Sequence, residues 1–345
     1  MVTQPRAGVH YPRSTGEFQS WFSSDADCLD YLAWLRWPEG FVCSRCGSPS
    51  GWIVADGSYK CARCLRQTAV TLFDRRRTPL TVWFAACWMF VSQKDAVSAL
   101  GLQHALEIGS YLTAWAMLLR LRSVLVRPGR DRLTGTVEAD ETWFGGEEPG
   151  LRGRAKGKKS LVAIAVERKE PHGYGRCRMA VVEDASAESL QRFVTDCIEP
   201  GANVVTDGWP SYLSITGLGY IREPHSQRAA AASGEDVGAL LPGVHLVASL
   251  AKRWVLGNHQ GSAGDAHLQS YLDEFVFRFN RRTARSRGLL FYRVLELAVN
   301  HDPVRYRQLV ADSKSKKVPP IPPWRRGHPP TLDRPREDRP WRTAR

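Results

Sequence analysis

The stretch VEADETWFGG (residues 137–146) has the pattern of a β-strand that enters a glycine turn, yet it carries three acidic residues. A carboxylate buried without a partner is strongly unfavourable. Either the acids lie on a solvated edge, or at least one of them belongs to a site that requires negative charge. Glu138 and Asp140 share one face of the strand, and spacing alone does not choose between them. Glu141 points to the opposite face and is predicted to be exposed.

Further strands and one helix follow this stretch and predict an α/β domain. A Ser/Glu capping pattern marks the helix, and the apolar runs have the length of strands. The segments are the strands TGTVEADETWFGG (134–146), KSLVAIAVERK (159–169) and RCRMAVVED (176–184), the helix ASAESLQRFVTDCI (185–198) and a strand within GANVVTDGWPSY (201–212). Three strands, a helix, a fourth strand and then further helices is the order of an RNase H-like core.

Two aspartates fit metal-dependent nucleic-acid chemistry. That chemistry uses two Mg²⁺ ions about 4 Å apart, held by carboxylates, and Mg²⁺ keeps several waters, so a few protein ligands suffice. The RNase H-like fold has its first Asp in mid-strand and its second just past a neighbouring strand. Asp140 and Asp207 fit these two positions. The alternative for Asp207, which precedes Gly208, is a simple turn residue.

Four of the eight cysteines form two C-x-x-C pairs, Cys43/Cys46 and Cys61/Cys64, with fourteen residues between them. Each pair can turn two thiolates toward one ion, and two pairs complete a tetrahedral four-sulfur shell. The intervening segments alternate like a hairpin that turns at Asp56-Gly57. The pattern predicts a zinc ribbon with structural Zn²⁺, because four protein ligands leave no open position for catalysis. Unligated cysteines and a redox C-x-x-C are alternatives, although no βαβ pattern surrounds the pairs.

Two other segments have helical spacing. The segment 17–37 combines apolar periodicity with Ser and Asp capping candidates and predicts one short helix. A longer helical rhythm runs through 79–127, where a short helix from Ser98, a break near Gly109 and a second helix have the proportions of a helix-turn-helix. An ordinary helical bundle is an equal alternative, because the second helix offers few polar residues for reading bases before its last turn.

Composition limits the classes of partner. The net charge of +13 is compatible with nucleic acid. Residues 313–345 hold ten Lys/Arg, three acids and eight prolines, which predicts a disordered tail that either solubilises the chain or attracts DNA non-specifically. The longest apolar run, VWFAACWMFV (82–91), is too short for a bilayer, which needs about 20 residues. With no secretory signal pattern, we expect a cytoplasmic, nucleoid-associated protein with reduced cysteines and no membrane partner.

Four segments carry a family resemblance. They are VEADETWFGG (137–146), VVTDGWPSY (204–212), HLVASLAKRWVLGNHQG (245–261) and YLDEFVFRFNRR (271–282). Together they resemble the transposases of the IS1595 superfamily, in its ISXO2-like branch. The zinc-ribbon pattern belongs to the same resemblance, which runs from about residue 17 to 300. It implies a DDE-type DNA transposase with an RNase H-like core that uses Mg²⁺ to cut and join DNA ends.

The resemblance also implies roles for single residues. Asp140 matches the first catalytic aspartate and Asp207 the second. Related transposases have Glu at the third position, with Lys or Arg seven residues later; here Lys252 follows His245 by seven, on the same helical face. We therefore predict a DDH variant in which Asp140, Asp207 and His245 bind magnesium and Lys252 is the basic partner. Imidazole is a softer ligand than carboxylate, so Mn²⁺ is predicted to substitute for Mg²⁺. In the alternative, His245 orients a water or the scissile phosphate.

Other charged residues offer rival or additional roles. Other candidates for the third catalytic position are Asp265, Asp273 and Glu274, although more residues separate them from Asp207 than is usual between these two positions. Basic residues in and after these helices predict phosphate contacts, which would make DNA binding depend steeply on salt. Solvated helix faces are the alternative for them. The predicted DNA-binding residues are Arg253, Arg278, Arg281 and Arg282.

These patterns combine into one expected organisation. The predicted parts are a flexible N-terminus (1–16), a helix plus zinc ribbon (17–70), a helical region with a candidate helix-turn-helix (71–130), an RNase H-like catalytic domain (131–300) and a basic, Pro-rich tail (301–345). We expect a transposase that cleaves transposon ends and transfers strands into target DNA, and that forms a homo-oligomer on terminal inverted repeats. The alternatives are a catalytically decayed zinc-ribbon DNA-binding protein and an RNase H-like nuclease without strand transfer.

Overall fold

The computed structural model describes residues 4–54, 57–68, 78–127, 129–145, 159–225, 230, 232–234, 236, 240–259, 265–301 and 306, with no side chains described for 258, 259, 265 and 266. Its contacts divide the chain into two compact units. The first contains the described residues within Met1–Arg127 and Ala284–Leu309, and the second those within Pro128–Thr283. Asp56 and the predicted tail, apart from 301 and 306, lie outside the described residues. Within the described parts, no helix combines the length and hydropathy needed to cross a bilayer.

The first unit combines helices with a small antiparallel sheet. Its helices are α1 (Thr15–Trp21), α2 (Asp25–Arg36), α3 (Leu80–Ser92), α4 (Ala99–Ala105), α5 (Tyr111–Ser123) and α9 (Arg287–Val299). Its strands are β1 (Gly51–Ile53), β2 (Tyr59–Cys61) and β3 (Gln67–Thr68), and β2 lies in the middle. β1 and β2 form the predicted hairpin between the cysteine pairs.

Aromatic rings form much of the core of this unit. Phe22 follows α1, Phe84 lies on α3 and Phe291 lies on α9, and their ring centroids are 4.8 to 5.7 Å apart. Aromatic pairs at such distances contribute beyond the area they bury. Because α9 supplies part of this core, the contacts end the second unit before α9, short of the predicted boundary at residue 300.

Two helices precede the zinc ribbon, where the sequence predicted one helix over 17–37. The Ser24 side chain accepts a hydrogen bond from the Asp27 amide, and the Asp27 carboxylate accepts one from the Ser24 amide. This capping box fixes the start of α2 and confirms the predicted Ser/Asp cap. Apolar periodicity continues on both sides of the break, so the pattern alone does not reveal it.

The residues before α1 are packed, which differs from the predicted flexible segment 1–16. Tyr11 is buried, and its ring lies 6.3 Å from that of Tyr292 on α9. The hydroxyl of Tyr31, on α2, donates to the carbonyl of His10 at 2.7 Å. These contacts tie the segment to two helices of the first unit.

The α4–turn–α5 segment has the predicted lengths, but its basic residues turn inward. Arg122 is buried, and the Arg120 guanidinium lies 6.0 Å from the Trp83 ring centroid. Burial lowers the pKa of Arg120. The exposed first turn of α5 carries Tyr111 and Leu112 instead. These contacts favour the helical-bundle alternative over base readout by α5.

The second unit is built on a five-stranded sheet. Its strands are β4 (Thr136–Phe144), β5 (Ser160–Arg168), β6 (Tyr174–Val182), β7 (Asn203–Thr206) and β8 (Ile221–Pro224). Its helices are α6 (Ala187–Cys197), a 3₁₀ helix (Pro210–Leu218), α7 (Pro242–His259) and α8 (Asp265–Asn280). The strand order is β6-β5-β4-β7-β8, with β6, β5 and β4 antiparallel and β4, β7 and β8 parallel. This is the predicted RNase H-like arrangement; β8 was not predicted.

Apolar clusters cover both faces of the sheet. α7 and α8 pack on the face of Val162 and Ile164, whereas α6 and the 3₁₀ helix pack on the face of Ala163 and Ala165. β5 is buried on both faces, which explains its continuous apolar run. Because side chains alternate between the two faces of the sheet, every second side chain of β4 points toward α7, and that of Asp140 is one of them.

Candidate active site and zinc site

Glu138 lies on β4 and is fully buried. Arg168 Nε donates to its Oε1 at 2.7 Å, and the amide of Val244, in the first turn of α7, donates to its Oε2 at 3.0 Å. The carboxylate thus accepts hydrogen bonds from a guanidinium and from a backbone amide in the first turn of a helix, which has no partner within the helix. Gly243 permits the close approach, because a Cβ there would lie 3.0 Å from Glu138 Oε2. Glu138 is therefore an anchor between β4 and α7, which distinguishes it from Asp140.

Asp140 and Asp207 come from neighbouring parallel strands. β4 and β7 pair in register as far as Ala139 and Thr206, so each aspartate is the residue directly after the last pair of the ladder. Neighbouring strands lie ~4.8 Å apart, and we expect a similar separation of the two aspartate Cα atoms. The register of the sheet is thus consistent with the predicted pairing of these two residues.

Each aspartate also makes a local backbone contact. Asp140 is 8% exposed, and its Oδ1 accepts the Glu141 amide at 2.8 Å. Asp207 Oδ1 accepts the Trp209 amide at 2.9 Å. Asp207 is therefore a turn residue, as one alternative held, and it directly follows the last residue of β7 that pairs with β4.

Tyr212, on the 3₁₀ helix, is a residue that the sequence motifs did not single out. It is fully buried, and its hydroxyl donates to Glu141 Oε2 at 3.2 Å. Burial, followed by the charges of Glu141, Asp140 and Asp207, holds the pKa of Tyr212 well above its usual value. The negative charges of all three carboxylates therefore raise the pKa of one buried phenol. The prediction that Glu141 is exposed is wrong, since it is half-buried against this ring.

Lys252 approaches β4 from α7. Its Nζ donates to Thr142 Oγ1 at 2.7 Å, two residues after Asp140 on the same face of the strand. Partial burial, with Lys159 adding, lowers the pKa of Lys252, although much of its side chain is exposed. A cation thus stands beside the candidate carboxylates, on the same exposed side of α7 as His245.

His245 is exposed, and it follows Val244, whose amide binds Glu138. It therefore directly follows the residue that anchors the first turn of α7 to the Glu138 side chain of β4. Among the described residues, the four zinc-ribbon cysteines are the one set with three or more His, Cys, Asp or Glu ligand atoms within 4.8 Å of one another. The side chains of Asp140, Asp207 and His245 do not form such a cluster.

The four cysteines of the first unit do form a cluster of this kind. The Sγ atoms of Cys43 and Cys64 are 3.6 Å apart, as are those of Cys46 and Cys61. A tetrahedral zinc with Zn–S bonds of about 2.3 Å needs sulfur atoms ~3.8 Å apart, so the donor set fits. The amide of Cys64 lowers the pKa of Cys61 to about 6, which favours a metal-binding thiolate.

Comparison with known families then identifies both units. The family described as ISXO2-like transposase domain matches residues 132–280, and the family described as transposase zinc-ribbon domain matches residues 23–67. The two matches together span more than half of the chain. The chain belongs to the IS1595 transposase family. The predicted family, its zinc ribbon and its fold class are confirmed.

Other comparisons are less informative. No curated protein matches the transposase. One solved structure, the Mos1 transposase paired-end complex with left transposon end, aligns over 63% of this chain and 79% of that chain at 15% identity. Its TM-score is 0.23, and we draw no conclusion from it.

The rival acids on α8 of the transposase make contacts within the second unit. Glu274 is fully buried and accepts a hydrogen bond from Arg278 Nε at 2.9 Å. Asp273 is buried and accepts one from Gln269 at 3.0 Å. The side chain of Asp265 lies outside the described residues. Arg278, a predicted DNA contact, is thus the partner of a buried carboxylate.

The remaining predicted DNA-binding arginines differ in exposure. The Arg281 guanidinium lies 4.1 Å from the Phe277 ring centroid. Arg282 donates to the carbonyl of Gly175 at 3.1 Å and so links the end of α8 to β6. Arg253 is exposed on α7. DNA contact by these residues stays a prediction, and Arg253 has the surroundings that suit it best.

His225 is a second residue that the motifs did not single out. Its amide donates to the Thr206 carbonyl at 2.8 Å, so the parallel pairing of β7 and β8 continues beyond Pro224. This puts the His225 backbone beside that of Asp207. Its Nε2 lies 2.9 Å from Glu223 Oε1. The short, exposed β8 gave little strand signal, which is why this histidine was missed.

Proposed function

We propose that this transposase cuts DNA at the ends of its mobile element and joins those ends to target DNA. The observation that carries the proposal is the position of Asp140 and Asp207, each one residue beyond the last pair, Ala139 and Thr206, of the β4–β7 ladder in the ISXO2-like domain. Two carboxylates on neighbouring segments of a sheet suit metal-assisted phosphoryl transfer. The neighbouring cation of Lys252 suits a phosphate backbone.

The chemistry of the donor atoms at the two sites suits two kinds of metal. The carboxylate oxygens of Asp140 and Asp207 suit Mg²⁺ or Mn²⁺, and His245 is the proposed third ligand from α7. Such a cation, when bound, polarises the phosphate and lowers the pKa of water. The cysteine cluster suits one structural Zn²⁺, which stabilises the ribbon without taking part in the reaction.

The chemistry divides into two balanced steps. In hydrolysis the oxygen of water bonds to phosphorus while the P–O3′ bond at the element's end breaks, which leaves a 3′-hydroxyl on the element and a 5′-phosphate on the flanking DNA. In the joining step that oxygen attacks a target phosphorus in line, and the target's own 3′-oxygen leaves, so one phosphodiester bond forms for each one broken. The contribution of the chain is positional: Asp140 and Asp207 would hold the divalent cation that binds the reacting phosphate, and Lys252 attracts the DNA backbone.

The proposed partners are terminal inverted repeats and target DNA, with a homo-oligomer that holds two ends at once. The zinc ribbon and helical region of the first unit would contribute to end recognition, and the net charge of +13 favours such an encounter. We propose a cytoplasmic, nucleoid-associated location. Inverted repeats in the genomic DNA that flanks this reading frame would supply the substrate for testing.

A strand-transfer assay on such DNA with Mg²⁺ or Mn²⁺ tests the proposal. Asp140→Asn and Asp207→Asn should each lower cleavage and joining by more than about a hundredfold, because losing even an outer partner of a metal ligand costs 10–100-fold. The matched control is Glu188→Gln on α6, whose side chain is 84% exposed; it should retain activity. Full activity in either aspartate variant would overturn the assignment.

Two other outcomes distinguish the alternatives. Cleavage without joining by the unmodified protein would indicate a nuclease. Specific binding to the repeats without cleavage in either metal would indicate a decayed transposase that retains DNA recognition.

A further inference from the structure

The backbone ladder between β4 and β7 stops one step before the two aspartates. The last paired residues are Ala139 and Thr206, and the next residues, Asp140 and Asp207, stand beyond them. Asp207 already lies outside β7, in the loop that leads to the 3₁₀ helix. Contacts other than strand pairing must therefore fix the separation of the two carboxylates.

Tyr212 links the loop back to β4. It stands five residues after Asp207, it is fully buried, and its hydroxyl donates to Glu141 Oε2 at 3.2 Å. Glu141 in turn is the immediate neighbour of Asp140, and its amide donates to Asp140 Oδ1 at 2.8 Å. The contact thus spans from the chain segment of one aspartate to that of the other.

The loop between Asp207 and Tyr212 is itself restrained. The Trp209 amide donates to Asp207 Oδ1 at 2.9 Å. The Ser211 hydroxyl donates to the Ala185 carbonyl at 2.7 Å, and the Trp209 indole donates to the same oxygen at 3.3 Å. Because the loop is short and held at both ends, a shift of Tyr212 would be passed to Asp207.

We infer that Tyr212 and Glu141 form a positioning pair that sets the separation of Asp140 and Asp207. Tyr212 is buried and cannot touch DNA, so it acts through the aspartates rather than on the reacting atoms. The inference rests on the proposed function, because it concerns the geometry of the same carboxylate pair. Side chains that orient metal ligands from behind typically change metal affinity when they are removed.

The hydroxyl is suited to this task because it stays protonated. Burial, with the charges of Glu141, Asp140 and Asp207 adding, keeps the pKa of Tyr212 well above its usual value. The phenol is therefore protonated near neutral pH and can donate to Glu141. Hydrogen bonds to a charged acceptor are stronger than those between neutral groups.

The chain supplies a matched control for the Tyr212→Phe variant. Tyr220 is also a buried phenol in the same apolar cluster, and its hydroxyl donates to the Ile198 carbonyl at 3.0 Å. Tyr220→Phe therefore removes an equivalent hydroxyl from the same core without touching the aspartates. A similar fall in thermal stability is expected for both variants.

The test measures binding of Mn²⁺ alone to the full-length, zinc-loaded protein by calorimetry, together with the Mn²⁺ concentration that gives half-maximal DNA cleavage. Tyr212→Phe should weaken both by about tenfold, whereas Tyr220→Phe should change neither more than about twofold. Glu141→Gln keeps an acceptor for the phenol and should retain most of the affinity. Glu141→Ala should resemble Tyr212→Phe.

Each outcome has a distinct meaning. If Tyr212→Phe binds Mn²⁺ as Tyr220→Phe does while Asp140→Asn abolishes binding, the positioning role is wrong and the carboxylate site stands. If Asp140→Asn also binds Mn²⁺ normally, the proposed function itself fails. If Glu141→Gln is as weak as Glu141→Ala, the charge of Glu141 matters rather than its hydrogen bond, and the positioning pair is overturned.

Discussion

The zinc cluster and the aspartate pair differ in how their ligands are brought together. In each cysteine knuckle the backbone closes a local turn: the Gly47 amide donates to Cys43 at 2.9 Å, and the Leu65 amide donates to Cys61 at 3.1 Å. The aspartates instead lie on β4 and directly after β7, 67 residues apart in sequence, so their relative position depends on sheet register and on side-chain contacts. A short motif therefore specifies most of the first site, whereas only the folded second unit specifies the other.

The difference also predicts where each site is vulnerable. The zinc cluster consists of its ligands, so it should fail when one cysteine or the ion is removed. The aspartate pair depends on residues that are not ligands, such as Glu138 beneath it and Tyr212 beside it. Substitutions that affect one site should leave the other unchanged.

The largest effect is expected for Cys61→Ser. Structural zinc supplies folding free energy directly, of about 10 kcal/mol in small zinc domains, so loss of a thiolate should unfold β1–β3. Bound zinc should fall from about one ion per chain to near zero, and amide protection should be lost across residues 43–68 while it persists in β4–β7. Zinc analysis and hydrogen exchange measure the two effects.

The control for this variant is Cys87→Ala. Cys87 is a fully buried thiol on α3 outside the cluster, so its loss should leave the zinc content unchanged. Retention of full zinc by Cys61→Ser would contradict the closed four-sulfur site, and simultaneous loss of protection in β4–β7 would contradict the independence of the two sites.

An intermediate effect is expected for Glu138→Ala. It removes the acceptor of the Arg168 guanidinium and the Val244 amide, and breaking a buried ion pair costs 3–5 kcal/mol. The Arg168 side chain is 32% exposed, so solvent compensates in part and we expect about 3 kcal/mol. Chemical denaturation of the full-length protein measures this free energy of unfolding.

Asp140→Asn, on the same face of β4, should lower the stability much less than Glu138→Ala does. A residue kept for chemistry rather than packing tolerates an isosteric change, so the expected loss of stability is under about 1 kcal/mol. An equal loss in both variants would mean that Asp140, like Glu138, mainly supports the fold.

Local patterns predicted much of the fold. The cysteine spacing predicted the zinc ribbon, the Ser/Asp capping pattern predicted a helix start, and the apolar run of β5 predicted a strand. In each case the interactions that fix the structure join residues close in sequence, or the burial is so complete that composition reveals it.

The parts that the sequence did not predict depend on distant contacts. Glu138 and Asp140 have the same spacing and the same chemistry, and only the positions of Arg168 and Val244 separate their roles. Tyr212 acquires its partner because β7 lies next to β4. α9 joins the first unit through aromatic contacts that no local periodicity encodes.

The smallest effects are expected for substitutions in the zinc knuckles, and they test whether local backbone conformation stabilises each knuckle. Gly47 and Leu65 each follow the second cysteine of a pair, with φ of +68° and +56°. That conformation costs a non-glycine residue about 1–2 kcal/mol. A Cβ on Gly47 would meet nothing within 4 Å, so Gly47→Ala should cost about 1 kcal/mol from backbone conformation alone.

Leu65→Gly should produce the opposite change at the equivalent position. Leu65 is 60% exposed, so its removal loses little buried surface. Glycine adopts the positive φ without strain but has more freedom in the unfolded chain. The net gain in the free energy of unfolding should be about 0.5–1 kcal/mol. The thermal midpoint of the ribbon and competition for Zn²⁺ with a chelator measure this gain. Leu65→Ala removes the same exposed apolar surface but keeps the unfavourable φ, so it should gain little. An equal gain from alanine would assign the effect to the exposed side chain, and the two knuckles would then differ in what stabilises them.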